Sequence, residues 1–267
     1  MLRLRLITAV VGLPLLIAVV WFGDPWFIVL WAFAAGVGAW ELYTMARASN
    51  WRPLRWFGLI WVLLFVASPH LPGANVVPIL ISSAVILPLI WLMVRRPREL
   101  AFANWGWTLV GIFYVGWLAS YWVLLRQLED GRDWVLWGMF VVFASDTFAY
   151  FVGRAFGKHL MASSISPRKT WEGAVGGVVG SMLASVLFAC ILFPLLDYPE
   201  ALLLGFVGSI LAQAGDLSGS LLKRNLGFKD SGKFLPGHGG IIDRFSSLAF
   251  VGVVLYYCVL GHLGILF

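Results

Sequence analysis

Residues 56–68, WFGLIWVLLFVAS, form an apolar run shorter than the ~20 residues that cross the hydrocarbon core of a bilayer. Whether this run counts as a span decides the topology of the whole chain. Around it lie eight longer apolar runs, at about 6–22, 25–46, 75–94, 105–125, 134–155, 174–196, 199–219 and 246–266. Suppose all nine cross a membrane and the N-terminus is cytoplasmic. One face then collects Arg3 and Arg5; Arg47, Arg52 and Arg55; Arg95, Arg96 and Arg98; Arg154, Lys158, Arg168 and Lys169; and Lys223, Arg224, Lys229, Lys233 and Arg244. Seventeen of the 19 basic residues share that face, and only Arg126 and Arg132 lie opposite. Dropping the short run scrambles this alternation for every later loop. Cytoplasmic loops of membrane proteins carry the excess of Lys and Arg. The pattern therefore predicts an all-α polytopic protein with about nine transmembrane helices, N-terminus cytoplasmic and C-terminus on the opposite side. The short run is then a tilted or shallow member of the set.

Composition points the same way. The 267 residues are 61% hydrophobic and 12% charged, with mean hydropathy +0.89, whereas a soluble domain carries roughly a quarter charged residues. The surplus apolar surface needs lipid around it. Fifteen Trp and 20 Phe suit interfacial aromatic belts. Asp24, Glu129, Asp130, Asp133, Asp197 and Glu200 fall on the outer side, so the net charge of +6 is a dipole across the bilayer. A basic inner face suits anionic headgroups and nucleotide phosphates, and nothing points to nucleic acid. For the first three basic clusters, setting topology is reason enough. The opening residues MLRLRLITAVVGLPLLIAVV look like a signal peptide's charged and apolar regions. Trp21, Phe22 and Asp24 follow instead of a small-residue cleavage site, so a retained first span is expected. Without repeats or linkers, 1–267 reads as one membrane-embedded domain, with N-terminal helices over 1–130 and the site-bearing part over 134–267. Cys190 and Cys258 sit in apolar runs and read as packing residues, with no disulfide or zinc spacing.

Two polar segments interrupt this pattern, both on the basic face. The first, FASDTFAYFVGRAFGKHLMASSISPRKTWEGAVGG, covers 143–177. Asp146 precedes Arg154 by eight residues, about 12 Å along a helix. A carboxylate at that depth faces a bundle interior or a watery cavity. It either binds metal or substrate, or serves as a hydrogen-bonding partner between helices. The second, AQAGDLSGSLLKRNLGFKDSGKFLPGHGGIIDRFSS, covers 212–247. Asp216 lies seven residues before Lys223, again about 10 Å in. Asp230 is in the loop and Asp243 begins the last span. Paired carboxylates beside clustered cations suit Mg²⁺ bridging phosphates, with Lys and Arg neutralising the remaining oxygens. Gly227, Gly232, Gly237, Gly239 and Gly240 let the backbone turn toward an anion. GRAFGKH is one spacer short of a phosphate-binding P-loop and has His159 where Ser or Thr is required. Gly173, Gly176, Gly177 and Gly180 read as helix-packing residues, within the chain or in a homodimer. Glu41, at the inner end of the second span, either joins the polar site or snorkels to the interface. A transporter would use similar carboxylates, but the polar residues crowd one half of the chain and show no two-fold repetition.

The stretch Ser220–Arg244, SLLKRNLGFKDSGKFLPGHGGIIDR, resembles the signature of the phosphatidate cytidylyltransferases, or CDP-diacylglycerol synthases. Ser220, Lys223, Arg224, Lys229, Asp230, Gly232, Leu235, Pro236, His238, Gly239, Gly240, Asp243 and Arg244 all fit it. The closing Asp of that pattern is Ser246 here. Asp146 and the segment SPRKTWEGAVGG are similar to the family's other motif, so the likeness covers 143–246. It implies transfer of CMP from CTP to phosphatidic acid at the cytoplasmic face of a bacterial inner membrane. It implies Mg²⁺ held by Asp216 and Asp243, with Asp146 as ligand or backing partner, and leaves room for a second cation such as K⁺. Lys223, Arg224, Lys229 and Arg244 would clamp phosphates, and His238 would donate to a phosphate oxygen. Asp230 would contact metal or orient Lys229. Ser166, Arg168, Lys169, Ser220, Gly239 and Gly240 would line the substrates. A polyprenol kinase or another lipid cytidylyltransferase is the related alternative.

Overall fold

The computed structural model describes residues 2–94, 100–192, 196–232, 234 and 239–264, and the side chains of 2–9 and 192 lie outside that description. Among these residues the chain forms nine helices: α1 (Leu2–Phe22), α2 (Trp26–Ala48), α3 (Arg55–Ala67), α4 (Val76–Val94), α5 (Ala101–Gln127), α6 (Gly131–Phe156), α7 (Trp171–Leu192), α8 (Tyr198–Asn225) and α9 (Ile242–His262). Each apolar run of the sequence becomes one of them. Seven, α2 and α4 to α9, are long and apolar enough to cross a membrane. α3 and the described part of α1 are shorter apolar helices.

Two local features depart from the sequence reading. The polar segment 143–177 holds an antiparallel hairpin, β1 (Leu160–Ala162) and β2 (Ser166–Thr170). Furthermore, α8 runs on past the apolar run at 199–219, through Ser220, Lys223 and Arg224. Cations near a helix C-terminus complement its dipole, and no breaker occurs before Gly227, whose φ is +78°.

The chain divides into two compact units, Met1–Leu124 with Asn225–Asp243, and Leu125–Arg224 with Arg244–Phe267. In the first, Tyr43 of α2 is fully buried and donates to the Thr108 carbonyl at 2.9 Å. Gly58 of α3 and Gly111 of α5 lie flat against its ring, where a β-carbon would collide. α3 earns its helix from Gly58, Val62, Phe65 and Val66, a buried stripe at helical spacing. Indole N–H groups, which need an acceptor away from water, tie neighbouring helices: Trp31 donates to the Ala119 carbonyl at 2.8 Å, and Trp105 to that of Val85 at 3.0 Å.

The second unit packs through small residues. Gly176 and Gly180 of α7 abut Val152 and Phe148 of α6, and Gly173 meets Gly153. This glycine face is therefore occupied within the chain. Hydroxyls join the helices: Ser181 Oγ donates to the Gly205 carbonyl at 2.9 Å, Ser185 Oγ to the Ala201 carbonyl at 2.5 Å, and Trp137 Nε1 to Ser185 Oγ at 3.1 Å. Interhelical hydrogen bonds and close backbone approach of this kind replace the hydrophobic drive that lipid does not supply.

Candidate active site

In the second unit, a register of polar contacts positions the intramembrane acids. Ser145 of α6 and Ser209 of α8 share a hydroxyl–hydroxyl bond of 2.7 Å. Gln213, one turn on, donates to Ser209 Oγ at 3.0 Å and to the Ala174 carbonyl of α7 at 3.1 Å. Gly215 lies against the Ser246 carbonyl of α9, with no room for a β-carbon. These contacts lock α6, α7, α8 and α9 around the residues that follow them, Asp146 and Asp216. Asp146 lies in electrostatic reach of Asp216, Lys169 and Arg244. Four charged groups from four elements thus gather in one place, two acids and two cations.

Lys169 comes from β2. Its Nζ is 2.7 Å from Asp216 Oδ2. That nitrogen is buried, and no described group meets it with hydrogen-bonding geometry. The pair is therefore held by charge, leaving N–H donors for incoming anionic oxygens. The hairpin carrying Lys169 is fixed at both ends. At its base, Glu172 accepts from the Lys158 and His159 backbone N–H groups at 3.1 and 3.2 Å, and meets His159 Nδ1 at 2.6 Å. At its turn, Arg224 Nε donates to the Ile165 carbonyl at 3.2 Å. Alternation along a strand separates Lys169 from its neighbours: Arg168 is exposed and Ser166 half-buried. On α8, Ser220 and Lys223 follow Asp216 by one and two turns on the same face.

In the first unit, the loop leading into α9 is organised by two carboxylates. Asp243 Oδ2 accepts from the Gly240 N–H at 2.9 Å and the Ser231 N–H at 3.2 Å. Glu41 of α2 is only 7% exposed. It accepts from Ser231 Oγ at 2.9 Å, the Ile241 N–H at 3.1 Å and the Ile242 N–H at 3.2 Å. The last two belong to the start of α9, whose first N–H groups have no partner within the helix. Gly232 and Gly240 press against the Glu41 carboxylate, and Gly239, at φ +84°, against that of Asp243. What approaches these glycines is thus a pair of acids from the chain itself. Glu41 is the functional residue whose part sequence reasoning left open. A carboxylate inside an apolar run was visible, but its partners, some 190 to 201 residues away, were not. Lys229 and Asp230 are exposed on the same loop. His238, with Lys233 and residues 235–237, lies outside the described residues, as do Arg95, Arg96 and Arg98.

This packing makes Gly240→Ala a sharp test of the loop. A β-carbon there must displace Glu41 and Ser231 Oγ, so the variant is expected to lose activity at least tenfold in an enzymatic assay while its circular dichroism is unchanged. Activity within twofold of the parent would show that the loop tolerates displacement of Glu41.

The acids suit a hard divalent cation in one particular way. Among the described residues no three His, Cys, Asp or Glu side chains form a ligand group. Mg²⁺ needs no such group, since it is commonly held by one or two carboxylates plus waters and substrate phosphates. Asp146 and Asp216 supply that pair, beside a seat that already stabilises the positive charge of Lys169. Asp243 instead has one carboxylate oxygen committed to two backbone N–H groups.

Seven membrane-length helices among the described residues, with an acid–cation cluster between them, define a polytopic membrane protein. The pattern of the Cytidylyltransferase family matches residues 3–261, and the chain belongs to that family. A phosphatidate cytidylyltransferase of Synechocystis sp. is 32% identical over 98% of both chains. One from Bacillus subtilis is 31% identical over 95% of this chain and 96% of its own length. One from Brucella abortus is 34% identical over 96% and 92%.

Proposed function

We propose that the protein transfers the CMP moiety of CTP to phosphatidic acid, giving CDP-diacylglycerol and pyrophosphate. Full-length similarity to proteins named for that activity supports the reading. The structural observation that carries it is the buried Lys169 ammonium beside Asp216, Asp146 and Arg244. A phosphatidate oxygen attacks the α-phosphorus of CTP, and the bond from that phosphorus to the β-phosphate bridging oxygen breaks. Pyrophosphate leaves with the electron pair. The nucleophile is already an anion near neutral pH, so the step needs positioning and charge neutralisation more than a strong base. Lys169 and Arg244 hold phosphate oxygens, and Lys223 and Arg224 extend the cationic track along α8. Ser220, Ser166 and Arg168 border it. On the other loop, Asp243 and Glu41 hold the backbone of Gly240, Ile241 and Ile242, and Lys229 and His238 are the candidates there for phosphate contacts. Asp146 and Asp216, with Asp243 as a third candidate, are the residues that would hold Mg²⁺, which supplies Lewis-acid neutralisation of the phosphates. A second cation such as K⁺ would sit with them. We place the site at the cytoplasmic face of a bacterial inner membrane, in a nine-span chain with its N-terminus inside and its C-terminus outside.

The test is direct. Purified protein in lipid nanodiscs, given CTP labelled in the cytosine, Mg²⁺ and phosphatidic acid, is expected to yield labelled lipid and equimolar pyrophosphate. Excess EDTA is expected to stop both. Release of CDP with phosphorylation of a lipid alcohol would overturn the assignment in favour of a kinase.

A further inference from the structure

The first unit contains a cavity of about 1480 Å³. None of its lining residues belongs to the hairpin, to α8 or to the loop before α9. It opens where α2 ends, α3 begins and α4 ends, so it lies at the level where hydrocarbon gives way to headgroups. One side is cationic, with Arg47, Arg52 and Arg55. The facing side is apolar: Leu87, Ile90 and Val94 lie along one stripe of α4, and they are 46%, 52% and 79% exposed. None of the three arginines forms an ion pair with a described carboxylate. Topology alone needs cations at this depth, but it does not need them gathered over an apolar wall.

Arg55 adds an independent observation. Its guanidinium stacks 4.0 Å from the ring centre of Trp40 and 5.0 Å from that of Trp56. Its Nε is buried and has no hydrogen-bond partner among the described residues. Buried N–H groups are normally matched by an acceptor. The two indoles preorganise a fork-shaped donor, and fork geometry matches phosphate.

We infer that this cavity binds an anionic phospholipid, its phosphate on Arg47, Arg52 and Arg55 and an acyl chain along the Leu87–Val94 face of α4. Three cations with no partner among the described carboxylates select net-negative headgroups over zwitterionic ones. The rim also touches the catalytic apparatus: Ser49, between Arg47 and Arg52, donates to the Leu226 carbonyl at 2.6 Å, at the entry to the loop that carries Lys229.

The experiment reads lipid retention and not turnover, so its failure is separate from failure of the catalytic reading. Protein released from nanodiscs holding equal amounts of phosphatidylglycerol and phosphatidylcholine is examined by native mass spectrometry. The parent is expected to retain phosphatidylglycerol preferentially. Arg47→Gln/Arg52→Gln is expected to lower that preference roughly 10- to 30-fold, following about 1 kcal/mol for each surface cation near anionic lipid. Arg47→Lys/Arg52→Lys keeps the charge and is expected to retain most of the preference, which separates binding from folding. Equal retention of both lipids by the parent, or an unchanged preference in the Gln variant, would overturn the inference. So would displacement of the lipid by millimolar inorganic phosphate or CTP, which would make the cavity a soluble-anion site.

Discussion

Asp216→Asn is expected to reduce turnover by about 100- to 1000-fold, the range seen when a preorganised electrostatic contact is removed from an active site. The substitution is nearly isosteric, and α8 keeps its contacts at Gly215 and Gln213. What changes is charge. Lys169 Nζ, buried and 2.7 Å from Asp216 Oδ2, loses its counter-ion, and Asp146 becomes the acid left beside it. A divalent cation held by the pair would lose one of its two protein ligands. Because Lys169 and Asp216 act as a unit, Lys169→Met should cost a similar factor, and the double variant little more than either single. Initial rates with saturating CTP and phosphatidic acid, measured on protein of unchanged monodispersity, decide the matter. Asp216→Asn running within threefold of the parent would remove Asp216 from the machinery. Fully additive losses would mean that the ion pair has no part in catalysis.

Glu41→Ala is expected to have a comparable effect through a different route. It leaves Ser231 Oγ and the Ile241 and Ile242 N–H groups without their acceptor. Each stranded buried donor costs about 1–3 kcal/mol, enough in sum to disorder the loop and the first turn of α9. Turnover is expected to fall at least 100-fold while the helical content stays the same. Glu41→Gln should fall between the two. Its carbonyl oxygen can serve Ser231 and Ile242, but its amide then points a donor at the Ile241 N–H. Glu41 touches no reacting group in this account, so its signature is loop order. Limited proteolysis should cut between residues 229 and 242 faster in Glu41→Ala than in Asp216→Asn. Equal protection of the loop in both variants would show that Glu41 is not its anchor.

The helices were legible in the sequence because each is an apolar run with few charges in it, and even α3 could be recognised through the cations that flank it. The hairpin was not. Pro167 sits inside β2, and proline argues against a strand except at an edge; in a two-stranded sheet both strands are edges. The polar last turns of α8 were equally hidden, since hydropathy ends at the membrane boundary while backbone hydrogen bonding does not. Within the site, the residue types were readable and their partners were not. Lys169 and Arg168 look alike in sequence, yet strand alternation sends one to Asp216 and leaves the other exposed. The glycines before α9 suggested room for a ligand, and the structure shows the acids of Glu41 and Asp243 against them.

Glu41 also bears on how portable the chemistry is. The motifs that resemble a cytidylyltransferase all lie in the C-terminal half, which invites the idea of a transplantable module. Such a fragment would lack Glu41, the acid that α2 contributes to that last loop. The order of that loop is thus set by a residue about 190 positions before it in the chain.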